Sequence, residues 1–256
     1  MHYAIVTAPI APLRKGANHR FEMTNQLFFG EAVRIIKQKD ETWLKIESLY
    51  DGYQGWLTTH LITKTDEAIA LQKCNQLAPQ FINTIEMNGL PMQIPLGASL
   101  PFLKNKNGKI AENITYHFRK KPICTDLIDQ KSEQLIYHAM QWLNAPYLWG
   151  GKTILGVDCS GFCQTMFKLI GVPIWRDARQ QALQGTSIKK LQDVQPCDLA
   201  FFDDKEEIVH VGILLGPDKI IHSSGTVRID RIDKQGIINS DTGRRTHQLK
   251  LIRRIL

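Results

Sequence analysis

At Thr125 the hydrophobic period of the sequence changes, and that transition limits the folds open to the chain. Upstream, residues 1 to 62 hold strand-length runs rich in β-branched and aromatic residues, "HYAIVTAP", "LFFGEAVRIIKQ", "TWLKIES" and "YQGWLTT", separated by Gly, Asp and Lys turns. They predict a small β-barrel. Residues 63 to 124 open with a polar piece of helical character and continue through "PMQIPLGASLPFLKNKNGKIAENITYHF", short runs broken by Pro, Gly and Asn. A second, less regular barrel is predicted there. From Thr125 onward Leu127, Ile128, Leu135, Ile136, Ala139, Met140 and Leu143 follow helical spacing. In "GFCQTMFKLIGVP", Phe162, Met166, Leu169 and Ile170 share one helical stripe, with Gly171 and Pro173 as stop signals. "DLAFFDD", "HVGILLG", "KIIHSS" and "HQLKLIRRIL" then read as strands of an antiparallel sheet, which makes residues 125 to 256 an α+β domain.

Length allows each of these modules its own core, so the 256 residues need no covalent staples. The five cysteines are an odd, widely spaced set and read as reduced thiols rather than a disulfide scaffold. No basic leader precedes an apolar run, and no stretch nears the ~18 apolar residues of a membrane span, so a soluble, cytoplasmic, monomeric protein without membrane contact is expected. A trimmed export signal would leave the same sequence. The net charge of +7 favours an anionic partner. Nucleic acid is not expected, because "RKGANHR", "KNKNGK" and "GRRTHQLKLIRR" are scattered among acidic residues without an aromatic ladder.

Chemistry concentrates at "VDCSG", where Cys159 opens the helical stripe. A helix start lowers a thiol pKa through its N–H groups and dipole, so Cys159 is a candidate nucleophile, resting as thiolate, and Cys163, one turn on, a packed apolar residue. The bland alternative is that both are simply buried. His210 and His222 flank a turn at Gly216-Pro217-Asp218. A two-residue loop would send them to opposite faces, whereas a three-residue loop pairs Gly212 with His222 and leaves the histidines diagonal neighbours about 7–8 Å apart along the backbone. The odd register is expected, with His210 as base and His222 holding its other nitrogen. Zinc is disfavoured, since only a Cys-x3-Cys pair exists and it lies within one helix.

These residues are embedded in "YLWGG", "VDCSGFCQTMF", "WRDARQQALQG", "VQPCDLAFFD", "HVGILLG" and "KIIHSSG", which in this order resemble the NlpC/P60 cysteine peptidases. The stretch "LFFGEAVRIIKQKDETWLKIESLYDGYQGWL" resembles a bacterial SH3 (SH3b) domain. The resemblance implies a papain-like catalytic domain over 125–256, with helices packed on an antiparallel sheet, preceded by SH3b-like barrels over 1–62 and 63–124. It implies a γ-D-glutamyl-L-diamino acid endopeptidase that acts without metal or cofactor on peptidoglycan stem peptides with a free N-terminal L-alanine. Cys159 matches its nucleophile, His210 its base and His222 its third member; Asp158, Ser160, Asp177, Ala178 and Trp149 match substrate-binding positions. Tyr53 matches a tyrosine and Glu22 an acidic residue contributed by the first barrel, which walls one end of the cleft. Asp158 and Glu22 would then face the alanine ammonium, and Arg176 or Arg179 would receive a substrate carboxylate or pair with Asp177. Cys197 stands where the family has glycine, so a left-handed backbone there would be strained. Two rivals stay open: a catalytically inactive SH3b wall-binding protein, and a papain-like amidase or acyltransferase.

Overall fold

The computed structural model describes every residue except Met1, Glu112, Lys205 and Glu206. Two compact units make up the chain, Met1–Leu127 and Ile128–Leu256. In the first, β1 (Tyr3–Val6), β2 (Ile10–Arg14), β3 (Met23–Phe28), β4 (Ala32–Gln38), β5 (Trp43–Ser48), β6 (Gln54–Thr58) and β7 (Ile62–Thr65) form one antiparallel sheet in the order β3-β2-β6-β5-β4-β1-β7. Alternation does the sorting: β2 buries Ala11 and Leu13, and β5 buries Leu44 and Ile46. The run "LFFGEAVRIIKQ", which looks continuous in sequence, is two strands joined by a tight turn at Phe29–Glu31.

After a single helical turn, α1 (Glu67–Ala70), the rest of this unit pairs β8 (Gln76–Leu77) with β13 (Ile123–Cys124). It also sets β9 (Ile82–Met87), β10 (Leu90–Pro95), β11 (Asn107–Ala111) and β12 (Ile114–His117) into a sheet ordered β10-β9-β12-β11. Ile5, Phe28 and Phe29 from the first sheet share a core with Ile85, Ile94, Ile110, Tyr116 and Phe118 from the second, so both sheets belong to one packed body.

The second unit opens with α2 (Lys131–Met140) and a short hairpin, β14 (Lys152–Thr153) and β15 (Gly156–Val157), followed by α3 (Cys159–Leu169) and α4 (Ala178–Gln181). Of the helical pattern expected from Thr125, only Leu135 and Ala139 reach the core; Leu127 stays exposed, and the helix starts at Lys131. Strands β16 (Thr186–Ile188), β17 (Leu199–Asp204), β18 (Glu207–Leu214), β19 (Lys219–Ser224), β20 (Thr226–Asp233), β21 (Gly236–Ile238) and β22 (Arg245–Arg254) follow. They run in the order β16-β22-β17-β18-β19-β20-β21, and β21 pairs back onto β22. Six strands, β17 to β22, thereby close the expected antiparallel sheet into a barrel. Closure satisfies both sheet edges, and it needs a ten-residue β22 to pair with β17 on one side and with β21 and then β16 on the other. Ala200, Phe202, Leu214, Ile220, Ile232, Ile237 and Ile252 fill its interior.

Helix α3 is buried on every side rather than along one stripe. Its C-terminus is a Schellman turn: Gly171, at φ +72°, donates to Lys168 O, and Val172 donates to Phe167 O. Cys197 takes φ +80° at the third position of a Gln195–Asp198 turn whose Asp198 N–H donates to Gln195 O. With Pro196 second, this is a type II turn, which ordinarily requires glycine third, so the expected strain is present.

Candidate active site

Asp158 caps α3, and its carboxylate organises the helix start. Oδ1 accepts from the Gly161 N–H at 2.6 Å, from Ser160 Oγ at 3.3 Å and from Arg176 at 2.9 Å. Oδ2 accepts from the Gly150 N–H at 2.8 Å and from Arg176 at 2.5 Å. Arg176 also donates to Ser160 Oγ at 2.8 Å and is only 1% exposed. A carboxylate offers about four lone-pair sites; five donors saturate it. Asp158 thereby holds the Gly150 loop and the first turn of α3, with its charge shared with the buried Arg176. Arg176 likewise has its carboxylate partner in Asp158, while the exposed Arg179 pairs with Glu207 at 2.6 Å.

Cys159, the first residue of α3, is 6% exposed, and the backbone N–H groups of Val211 and Ser160 face its sulfur closely enough to favour a thiolate. Val211 follows His210 in β18. The ladder between β18 and β19 contains only Ile213↔Ile221 and Leu214↔Ile220. That register sets Gly212 opposite His222 and gives the three-residue loop expected from the sequence. Beyond Ile213 the two strands part, and Val211 is turned toward the thiol. A Cβ on Gly212 would lie 2.8 Å from the His222 Cβ, so only glycine lets the second imidazole approach.

His210 Nε2 lies 2.7 Å from His222 Nδ1, and His222 Nε2 lies 3.1 Å from Asp230 Oδ2. Arg228 grips Asp230 with two bonds of 2.9 and 3.0 Å, and the Ser240 N–H donates to it at 2.8 Å. Burial alone would raise the Asp230 pKa; the bonds from His222, Ser240 and Arg228 outweigh it and hold the carboxyl well below the usual carboxylate range. An ionised Asp230 accepts the proton of His222 Nε2. His222 Nδ1 is then a lone pair that accepts from His210 Nε2–H, and His210 Nδ1 is left unprotonated. The chain Asp230–His222–His210 thus fixes the tautomer that a general base requires.

Burial pushes the Cys159 thiol up to about 12, and Asp158 adds to the rise, against the Val211 and Ser160 N–H groups and Arg176. Burial also drives His210 well below an ordinary imidazole, helped by His222 and His247. Both groups rest neutral. This corrects the thiolate expected from the helix start, because dehydration and the neighbouring carboxylate outweigh the helix N–H groups. Burial and the Asp158 charge keep the phenolic proton on Tyr147, whose hydroxyl lies within electrostatic reach of the Cys159 thiol.

Comparison with known proteins fits this geometry. The NlpC/P60 family pattern matches residues 144–246, and a bacterial dipeptidyl-peptidase SH3 domain pattern matches residues 13–61. A Bacillus subtilis protein named gamma-D-glutamyl-L-lysine dipeptidyl-peptidase is 32% identical over 216 residues, 78% of this chain and 72% of that one. The chain belongs to the NlpC/P60 family. It is a peptidase of that family with an N-terminal bacterial SH3 domain. Dipeptidyl-peptidase 6 of Lysinibacillus sphaericus is 26% identical across 91% of this chain and 92% of its own length. The crystal structure of an NlpC/P60 family protein from Bacillus cereus superposes with a TM-score of 0.82 at 19% identity, covering 99% of each chain, a likeness of fold.

The remaining predicted positions of this NlpC/P60 peptidase vary in setting. Trp149 is 58% exposed just before the Gly150 loop. Asp177 opens α4, where Gln180 Oε1 accepts from its N–H at 3.4 Å, and Ala178 is buried at the first helical position. Gln181 ties α4 to α3 by donating to Ser160 O at 3.1 Å. In the first unit, Glu22 is exposed and pairs with Lys15 at 3.8 Å, while Tyr53 is half-buried against the β-sheet core, its N–H bonded to Asp51 Oδ1. Sequence reasoning missed Asp230 and His247. "TVRIDRID" reads as a charged run, but period-two alternation through a turn at Gly225 sets Arg228 opposite His222, with Asp230 two residues on along the same face.

Proposed function

We propose that the protein is a cysteine peptidase that cleaves the bond between γ-D-glutamate and a diamino acid, L-lysine or meso-diaminopimelate, in peptidoglycan stem peptides. Its product is L-Ala-γ-D-Glu, and its place is the recycling of muropeptides in the cytoplasm. The hydrogen-bonded chain Asp230–His222–His210, on the strand whose next residue Val211 turns its N–H toward the Cys159 sulfur, carries the reading. The substrate class is supported by relatives, aligned over most of this chain, that are named gamma-D-glutamyl-L-lysine dipeptidyl-peptidases.

His210 Nδ1 takes the Cys159 proton as the sulfur attacks the γ-carbonyl carbon. The oxyanion meets the Cys159 N–H, which has no acceptor within its own helix, and the Tyr147 hydroxyl supplies a second donor. Collapse breaks the C–N bond, and His210 returns the proton to the departing amine. Water, deprotonated by His210, then cleaves the thioester and restores the thiol.

Comparing L-Ala-γ-D-Glu-L-Lys with the same peptide acetylated on its alanine amine tests the selectivity. The acetylated peptide is expected to turn over on the order of 100-fold more slowly. Equal turnover would reject the requirement for a free amine. Replacing L-Lys by meso-diaminopimelate in the same assay identifies the preferred third residue. Glu22→Gln and Tyr53→Phe test the substrate-binding roles implied for the first unit: each is expected to raise KM for the free-amine peptide, and unchanged KM in both removes those residues from the site.

A further inference from the structure

The His210 and His222 rings meet nearly at right angles, 80° with centroids 5.0 Å apart, so their bond holds one edge of His210. A third histidine covers its face. His247, in β22, stacks on His210 with ring centroids 4.2 Å apart and planes inclined by 23°. Phe202 borders both rings, with centroids 5.9 Å from His210 and 6.0 Å from His247, and His222 meets His247 edge-on at 6.1 Å. His247 Nδ1 lies 3.0 Å from Thr246 Oγ1, so one polar atom is engaged on its own strand while the ring face covers the base.

We propose that His247 is a positioning residue of this peptidase, whose ring holds the orientation of His210 and screens one face of it from water. The inference rests on His210 being the base of the proposed mechanism. During turnover His210 becomes an imidazolium; a neutral ring stacked on it keeps water off that face, whereas a second imidazolium would repel it. The surroundings keep His247 neutral: burial and His222 lower its pKa to about 4, with Asp230 opposing. His222 from β19 and Asp230 from β20 act on the stacked pair, and Arg228 from β20 holds Asp230. Arg245 and Lys234 border the outer side of His247, and Asp233 pairs with Arg245 at 2.7 Å.

The test uses the full chain with two substitutions that fill the site, His247→Phe, which keeps a ring, and His247→Gln, which does not. Alkylation of Cys159 by iodoacetamide is followed by peptide mass from pH 5 to 9, alongside the pH profile of kcat/KM on L-Ala-γ-D-Glu-L-Lys. His247→Gln is expected to lose about tenfold in both rates near pH 6, with the acid limb moved up by about one pH unit as His210 gains water and proton affinity. His247→Phe is expected to keep the wild-type limb. A wild-type profile for His247→Gln, or a His247→Phe limb displaced as far as that of His247→Gln, would overturn the proposal. If the glutamine variant fails to fold, the phenylalanine profile decides by the same criterion. Alkylation requires no peptide, so a normal Cys159 profile without peptide turnover rejects the substrate assignment and leaves His247 standing.

Discussion

Asp230 decides which nitrogen of His210 carries a proton. Asp230→Asn replaces an obligate acceptor with an amide that satisfies either tautomer of His222, so the lone pair at His210 Nδ1 is no longer enforced. The expected result is a fall in kcat on the order of 10²-fold with KM little changed, measured on the stem tripeptide; kcat within twofold of wild type would contradict the tautomer argument. Cys197 offers a separate residue-scale test. At φ +80° an alanine keeps the strain and a glycine relieves it, so Cys197→Gly is expected to be more stable than Cys197→Ala by about 1 kcal/mol in denaturant titration. Equal stability would mean that the turn relaxes. The helix start at Cys159 and the pairing of His210 with His222 were legible because helix-start and hairpin signals are local. Asp230 and His247 were not, since each acts across strands whose partners lie outside any short sequence window.

At the level of elements, the first turn of α3 is held by a buried ion pair more than by its own helix propensity. Removing only Arg176 leaves Asp158 charged and dehydrated, so Arg176→Ala is expected to cost about 3–5 kcal/mol, read from urea unfolding. Replacing both partners together, Asp158→Asn with Arg176→Met, is expected to cost less than the sum of the two single changes; strict additivity would show that the pair is not coupled. The β18–β19 hairpin was readable to the residue, because loop length fixes which side chains share a face. Helix α2 was not: the apolar residues from Leu127 to Leu143 keep helical spacing, yet only Leu135 and Ala139 meet the core, and the segment before Lys131 instead ends the first unit. Periodicity reports which residues can share a stripe, while the start of a helix depends on what the chain must still complete before it.

Across the whole molecule, closure of the β17–β22 barrel brings the histidine chain to one end of an apolar interior. Closure was not evident in the sequence, because β22 must pair with β16 and β17, both distant along the chain, as well as with its neighbour β21. Closure also imposes a pH dependence on stability. His210 and His247 have folded pKa values below that of an unfolded imidazole near 6.5, so the unfolded chain binds more protons once pH falls below about 6.5. Their contribution is fully present above that pH and is lost as pH falls; Asp230, also depressed, adds a loss of the same sign below about pH 4. The melting temperature is therefore expected to drop between pH 7 and 5, and to drop less in His247→Phe, by calorimetry; a flat profile would contradict buried neutral imidazoles. The most direct measurement for the account as a whole is release of L-Ala-γ-D-Glu from L-Ala-γ-D-Glu-L-Lys, followed by mass spectrometry in wild type and Cys159→Ala. The account predicts the dipeptide from wild type and none above the uncatalysed rate from Cys159→Ala. An intact tripeptide with wild type, or equal dipeptide from both proteins, would contradict it.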